Sequence, residues 1–281
     1  MRRLVPFAVL FLLLLGGCRQ KATAPAGAVG NRIDSAAVAL RGEAIRAAKR
    51  LLAFDLDGTL TQHRTPLSPE NRALLDTLSS RYEVVMVVAG NCPRVYGQMG
   101  EYPVRIIGNY GMQESVVEDG VFKIIREDTS PVDTAFFLRE TDRLRKKYGY
   151  TVYKGDPVEF HASGMVTFGL LGTAADKADK LVFDPDRAKR RAMYPEVLEV
   201  FKDFAVYIGG SSSFDFVPRQ YNKFDATMRY AREHGYSEEE VLFIGDDFDD
   251  GGGDSHVRIL GMDYVQVTDY TVFPCQLSFL L

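Results

Sequence analysis

The chain has 281 residues, with 34 basic and 38 acidic side chains and a formal net charge of -4. Hydrophobic residues make up 46% and charged residues 26%, which excludes a disordered or collagen-like chain. The length suits one medium domain or a core with an inserted second domain, large enough to fold without a disulfide or metal staple. Mild acidity offers no long basic field, so no nucleic-acid partner is expected.

The chain opens with Arg2 and Arg3, an apolar run from Leu4 to Leu15, then Gly16, Gly17 and Cys18. The run is short for a bilayer span, and its basic start and small-residue end read as a secretory signal. It resembles a bacterial lipoprotein signal. That resemblance implies a signal peptide over 1–17, a lipid anchor on Cys18 and an extracytoplasmic, membrane-anchored protein. An uncleaved anchor or a misassigned start are the alternatives. Residues 18–48, rich in Ala, Gly and small polar residues, read as a tether and lead-in whose end turns helical near Asp34 to Arg50.

The folded body begins at LLAFDLDGTL, a short apolar strand ending in a polar turn. SPENRALLDTLSS follows as a helix, with Ser68 as N-cap, Pro69 at the first position and Leu74, Leu75 and Leu78 on one face. EVVMVVAG is continuously apolar, as in a strand buried on both faces. Strand, helix and strand in this order predict an α/β fold with a parallel, Rossmann-like sheet. The same grammar returns in NKFDATMRYAREHG, VLFIGDD and MDYVQVTD. Between them the strands are spaced and partly alternating (VVEDGVFKII, YTVYKG, GMVTFGLLG, FAVYIGG, SSFDFV), which predicts an inserted α+β unit. The expected organisation is a core over 49–112 and 217–281 with an insertion over 113–216. The cleft between them is the expected site, since ligands of open parallel sheets lie beyond the strands' carboxyl ends.

Asp55 and Asp57 close the first strand, and Asp246 and Asp247 close VLFIG, with Asp249, Asp250 and Asp254 following in a glycine-rich loop. Like charges held together at the ends of apolar strands are costly unless protonated or bound to a cation. If the two strand ends converge, they make a hard oxygen site suited to Mg2+. Most of the five acidic residues of the second loop then surround or solvate it.

FDLDGTLT, with the later Lys223 and GDD, resembles the haloacid dehalogenase superfamily. The resemblance implies phosphoryl transfer through an aspartyl-phosphate: Asp55 as nucleophile, Asp57 as general acid and base, and Lys223 neutralising nucleophile and phosphate. It implies Mg2+ held by Asp55, the backbone carbonyl of Asp57, Asp246 and Asp254. DGTLTQHR, VEFHASGMVTFGLLG, GGSSSFDFVPRQYNK and GDDFDDGGGD are similar to the subclass with a large α/β cap, and within it to eukaryotic-type phosphomannomutases. By that likeness Arg64 contacts a phosphate, Ser213 and Asp215 touch the sugar or its phosphate from the cap, and a cap-mediated homodimer is implied.

The departures bear on activity. His161 and Thr173 stand where cap arginines are expected, and neither replaces a guanidinium fork. Gly253 stands where the fourth motif has Asn. AGNC occupies the second motif, where Asn91 supplies a phosphate hydrogen bond in place of a hydroxyl. Arg187, Lys189, Arg190 and Arg191 read as a solvated helix face, or as the source of one replacement cation. Location outside the cytoplasm also favours release of sugar and phosphate over isomerisation. The expected activity is a Mg2+-dependent phosphatase of a phosphorylated sugar or similar small phosphomonoester. A phosphomannomutase or phosphoglucomutase, and a tethered binding protein on a decayed enzyme fold, are the alternatives.

Overall fold

A computed structural model describes residues 32–281. Its first helix, α1 (Ser35–Ala48), is capped by the Asp34 side chain, which accepts from Ala37 N, and buries Ile45. Ile33 N donates to Tyr264 O at 2.8 Å. Residues 33–48 therefore pack on the core.

Seven strands form the larger sheet: β1 (Leu51–Phe54), β2 (Glu83–Val87), β3 (Arg105–Gly108), β4 (Gln113–Glu118), β5 (Val121–Glu127) and, later in the chain, β10 (Val241–Gly245) and β11 (Tyr264–Gln266). Helices α2 (Pro69–Ser79) and α3 (Cys92–Gln98) make the crossovers to β2 and β3. The second motif thus starts a helix. Ser68 caps α2 by accepting from Asn71 N, with Pro69 in the first turn, as its sequence predicts.

The cap sheet follows, joined by α4 (Thr134–Tyr148), β6 (Glu159–Phe160), β7 (Val166–Gly169), α5 (Lys177–Phe183), α6 (Ala188–Val200), β8 (Phe204–Tyr207) and β9 (Ser213–Pro218). Its strands run antiparallel in the order β6-β7-β9-β8. Phe137, Phe168, Phe201, Phe214 and Phe216 fill the space between this sheet and its helices. The chain then returns through α7 (Lys223–Glu233), β10 (Val241–Gly245), α8 (Ser255–Ile259) and β11 (Tyr264–Gln266).

The large sheet has the order β11-β10-β1-β2-β3-β4-β5. The first five strands in that order are parallel, and β4 runs against both of its neighbours, β3 and β5. The chain therefore leaves β1 toward β2 on one side and returns to β10 on the other. Phe54 pairs with Ile244, so Asp55 and Asp246 emerge together where the strand order reverses. This is an α/β Rossmann-like core with a separate antiparallel cap sheet.

Two expectations change. VVEDGVFKII, grouped with the insertion by its alternation, contributes to β4 and β5 and extends the large sheet. Alternation reports an antiparallel strand with one open face, not the sheet it joins. The signal segment and Cys18 lie outside the described residues. The membrane-anchored, extracytoplasmic location drawn from them is corrected: the described chain is a globular α/β fold, and among the described residues no helix is long and apolar enough to cross a membrane.

Candidate active site

A cleft of about 890 Å³ lies between the carboxyl ends of the parallel strands and the cap sheet. Asp55, Asp57, Arg64, Asn91, Ser213, Asp215, Lys223 and Asp246 all face it, as do His161 and Thr173. Asp254 lies behind them, fully buried.

Asp55 is 7% exposed and takes its place from the sheet, its N–H donating to Ile244 O at 2.9 Å. Lys223 starts α7, directly after the Asn222 cap, and is 2% exposed. Its Nζ lies 2.8 Å from both Asp55 Oδ1 and Asp254 Oδ1. Burial, partly opposed by Lys223 and reinforced by Asp254, pushes the Asp55 carboxyl up to about 7. Burial alone would lower the Lys223 ammonium, but Asp254 and Asp55 reverse that and hold it protonated.

Carboxylate oxygens of Asp55, Asp246 and Asp254 lie within 4.8 Å of one another. Asp246 Oδ1 accepts from Thr59 Oγ1 at 3.0 Å. Burial first, then the charges of Asp55, Asp254 and Asp247, raise Asp246 well above the ordinary carboxylate value. Lys223 pairs with the buried Asp55 and Asp254 and leaves the half-buried Asp246 without a salt-bridge partner among the described residues, so this donor set of hard oxygens fits a divalent cation. Asp254 is partly committed, since its Oδ2 accepts from Asp247 N at 3.0 Å while Oδ1 holds Lys223. Gly58 makes the approach of the two strand ends feasible. Its φ is +96°, and a Cβ there would lie 2.5 Å from Asp246 Oδ2.

The Asp57 carboxylate is not part of this cluster and is held by other partners. Oδ1 accepts from Arg64 N at 2.7 Å and Gln98 Nε2 at 2.7 Å. Arg94 Nη1 and Nη2 both reach Oδ2 at 3.3 Å, and His63 Nδ1 lies 3.9 Å from it. Burial raises the Asp57 carboxyl, but Arg94, Gln98, His63 and the Arg64 N–H outweigh it and hold the group below its usual value. Arg94 and Gln98 escape sequence reasoning because neither stands in a recognised motif. Their spacing of four on α3, after the Asn91 cap, is the signal that places both on one face.

On the cap side, Asp215 accepts from Thr167 Oγ1 at 3.0 Å and from Tyr110 Oη at 3.4 Å. His161 Nε2 lies 3.1 Å from that same Thr167 hydroxyl. Ser213 Oγ donates to Gly209 O at 3.0 Å. Asn91 Oδ1 is spent on Arg94 N at 2.9 Å, which leaves only its amide N–H groups for a phosphate. Arg190 is not on a solvated face: it is 1% exposed and bonded to Asp184 and to the carbonyls of Gly209, Gly210 and Ser213. Arg187 faces the cleft and pairs with Asp247.

No family model matches the chain. Among characterised proteins it is similar to phosphomannomutase of Encephalitozoon cuniculi, 23% identical over 224 residues, covering 74% of this chain and 84% of that one. It is 25% identical over 250 residues to phosphomannomutase of Triticum aestivum, covering 82% and 95%. In fold it is similar to N-terminally truncated IMP-nucleotidase of Plasmodium falciparum, with TM-score 0.60, 13% identity and coverage of 86% and 72%. BT1666 of Bacteroides thetaiotaomicron, a phosphatase of the haloalkanoate (HAD) superfamily, gives TM-score 0.53, 15% identity and coverage of 83% and 95%. The chain thus carries the haloacid dehalogenase superfamily fold with an inserted cap, is distantly similar to phosphomannomutases, and has a site consistent with a hydrolase or phosphotransferase of that type.

Proposed function

We propose that the protein is a Mg2+-dependent phosphatase of a phosphorylated sugar or similar small phosphomonoester. The observation that carries this reading is Asp55, bonded to Lys223 and adjoining Asp246, at the point where the sheet order reverses beneath the cap. Asp55 Oδ attacks phosphorus, and the bond from phosphorus to the leaving alcohol oxygen breaks while Asp57, which takes up a proton from solvent as the negatively charged substrate binds beside it, donates that proton to the oxygen. Asp57 then removes a proton from water, whose oxygen attacks the aspartyl-phosphate. Inorganic phosphate leaves and the Asp55 carboxylate is restored. Lys223 offsets the repulsion between the Asp55 carboxylate and the phosphoryl oxygens. Asp55, Asp246, the Asp57 carbonyl and Asp254 would hold Mg2+, which would supply further charge neutralisation at the phosphoryl group.

With location set aside, the cap end supports hydrolysis. His161 and Thr173 replace the expected guanidinium groups, while Asp215, Thr167 and Ser213 offer donors and acceptors for hydroxyls. The similarity to phosphomannomutases favours a second reading, isomerisation of hexose phosphates. The deciding experiment measures phosphate release from mannose 6-phosphate, mannose 1-phosphate and glucose phosphates with Mg2+, beside Asp55→Asn. A parallel assay looks for isomer with a hexose bisphosphate present. Phosphate release lost in the variant, without isomer, supports the phosphatase; isomer exceeding hydrolysis supports the mutase; neither refutes both.

A further inference from the structure

We propose that Arg94 is a phosphate-binding residue of this site: its guanidinium releases the Asp57 carboxylate and takes an oxygen of the transferring phosphoryl group. The role rests on the phosphatase reading. Asp57 has one oxygen firmly held and one merely covered. Oδ1 receives Gln98 Nε2 and Arg64 N at 2.7 Å each, which fixes the carboxylate in place. Oδ2 receives two N–H groups of Arg94 at 3.3 Å, a long contact for charge-assisted bonds. An oxygen covered in this way cannot exchange a proton with a leaving alcohol or a water, so Arg94 must withdraw during turnover.

Its anchorage allows that withdrawal. Arg94 Nη1 donates to Gln98 Oε1 at 2.7 Å, the shortest of its contacts, and this bond serves as a pivot. The head lies directly over Gly90, where a Cβ would stand 1.9 Å from Nη2. Gly90 and Asn91 border the same cleft as Asp55 and Asp57. Asn91 caps α3 through Oδ1, and the second motif has only its amide N–H donors, with no hydroxyl and no charge, to offer a phosphate. A planar fork of N–H donors suits the vacant part of that coordination. The exchange replaces one set of hydrogen bonds by another, and the guanidinium keeps its protons throughout.

The test compares the wild-type protein with Arg94→Ala and Arg94→Lys, using p-nitrophenyl phosphate as substrate and orthovanadate and inorganic phosphate as inhibitors, all with Mg2+. Melting temperatures of the three proteins establish that the variants fold, with Arg94→Lys as the conservative change. Arg94→Ala is expected to weaken inhibition by both anions about tenfold or more. Arg94→Lys should fall between the two, and added guanidinium should restore part of the Arg94→Ala rate without affecting wild type. Anion affinity unchanged in Arg94→Ala, with only kcat reduced, overturns the role and leaves Arg94 as a group that positions Asp57. Wild-type protein that releases no p-nitrophenol overturns the phosphatase reading and this role with it.

Discussion

Lys223 Nζ stands 2.8 Å from Asp55 Oδ1, and both side chains are withdrawn from water. A buried ammonium that touches the expected nucleophile separates two functions by substitution. Asp55→Asn removes the nucleophile but leaves Lys223 its bond to Asp254. Hydrolysis should fall by about 10^4 or more, with the circular-dichroism melting curve nearly unchanged. Lys223→Met leaves two buried carboxylates facing each other and should cost about 3–5 kcal/mol in urea unfolding as well as activity. Activity retained by Asp55→Asn would remove the aspartyl-phosphate route.

A divalent cation bound at the carboxylate cluster would make stability depend on its concentration. A ligand bound only by the folded state at 100 times its dissociation constant adds about 2.7 kcal/mol. Mg2+ should therefore raise the melting temperature by several degrees, and Ca2+ or Mn2+ should compete for the same effect. Asp246→Asn removes a carboxylate that has only the Thr59 hydroxyl as a bonded neutral partner. That variant should lose the Mg2+ shift while melting no lower than metal-free wild type. A shift of equal size in the variant would place the cation elsewhere.

Arg187 and Arg191, one helical turn apart at the start of α6, bridge cap and core in different ways. Arg187 pairs with Asp247 inside the cleft. Arg191 reaches Asp249 at 3.0 Å from a surface position where both side chains are at least half exposed. An exposed pair contributes less than about 1 kcal/mol. Arg191→Gln should leave stability and kinetics close to wild type. Arg187→Gln frees Asp247 beside the carboxylate cluster and removes a cation from the cleft, so KM for a sugar phosphate should rise several-fold. Equal effects of the two substitutions would argue against any special place for Arg187.

The strands that carry Asp55 and Asp246 were legible because each is a fully buried apolar run closed by carboxylates, and the reversal of strand order brings two such ends together. The cap at Ser68 is equally local: one side chain meets one exposed backbone N–H. What sequence could not supply was partnership. β4 and β5 alternate like cap strands yet continue the core sheet. Arg190 sits in a run of basic residues that reads as surface, but Asp184 six residues earlier draws it inward. Arg94 gains meaning only when α3 turns it onto Asp57, a residue 37 positions away.

Arg190 and Asp184 form a buried pair that holds one wall of the cleft. Arg190 Nε donates to Asp184 Oδ2 at 2.8 Å, and Nη1 reaches Gly209 O at 2.8 Å and Gly210 O at 3.0 Å. Neither side chain is more than 1% exposed. Burial raises the Asp184 carboxyl, but Arg190 and the backbone N–H groups of Lys189 and Arg190 outweigh it and hold the group below its usual value. A depressed carboxyl contributes stability that is complete above its unfolded value, about 4, and is lost as the pH falls below it. Arg190→Met strands the carboxylate and should cost about 3–5 kcal/mol at pH 7, with KM raised as the Gly209–Ser213 loop loses its anchor. Asp184→Asn combined with Arg190→Met should recover part of that stability, because no buried charge remains. The melting temperature of wild type should drop more steeply between pH 5 and about 3 than that of the double variant, as measured by scanning calorimetry. Parallel curves for the two proteins would show that the pair does not govern acid stability.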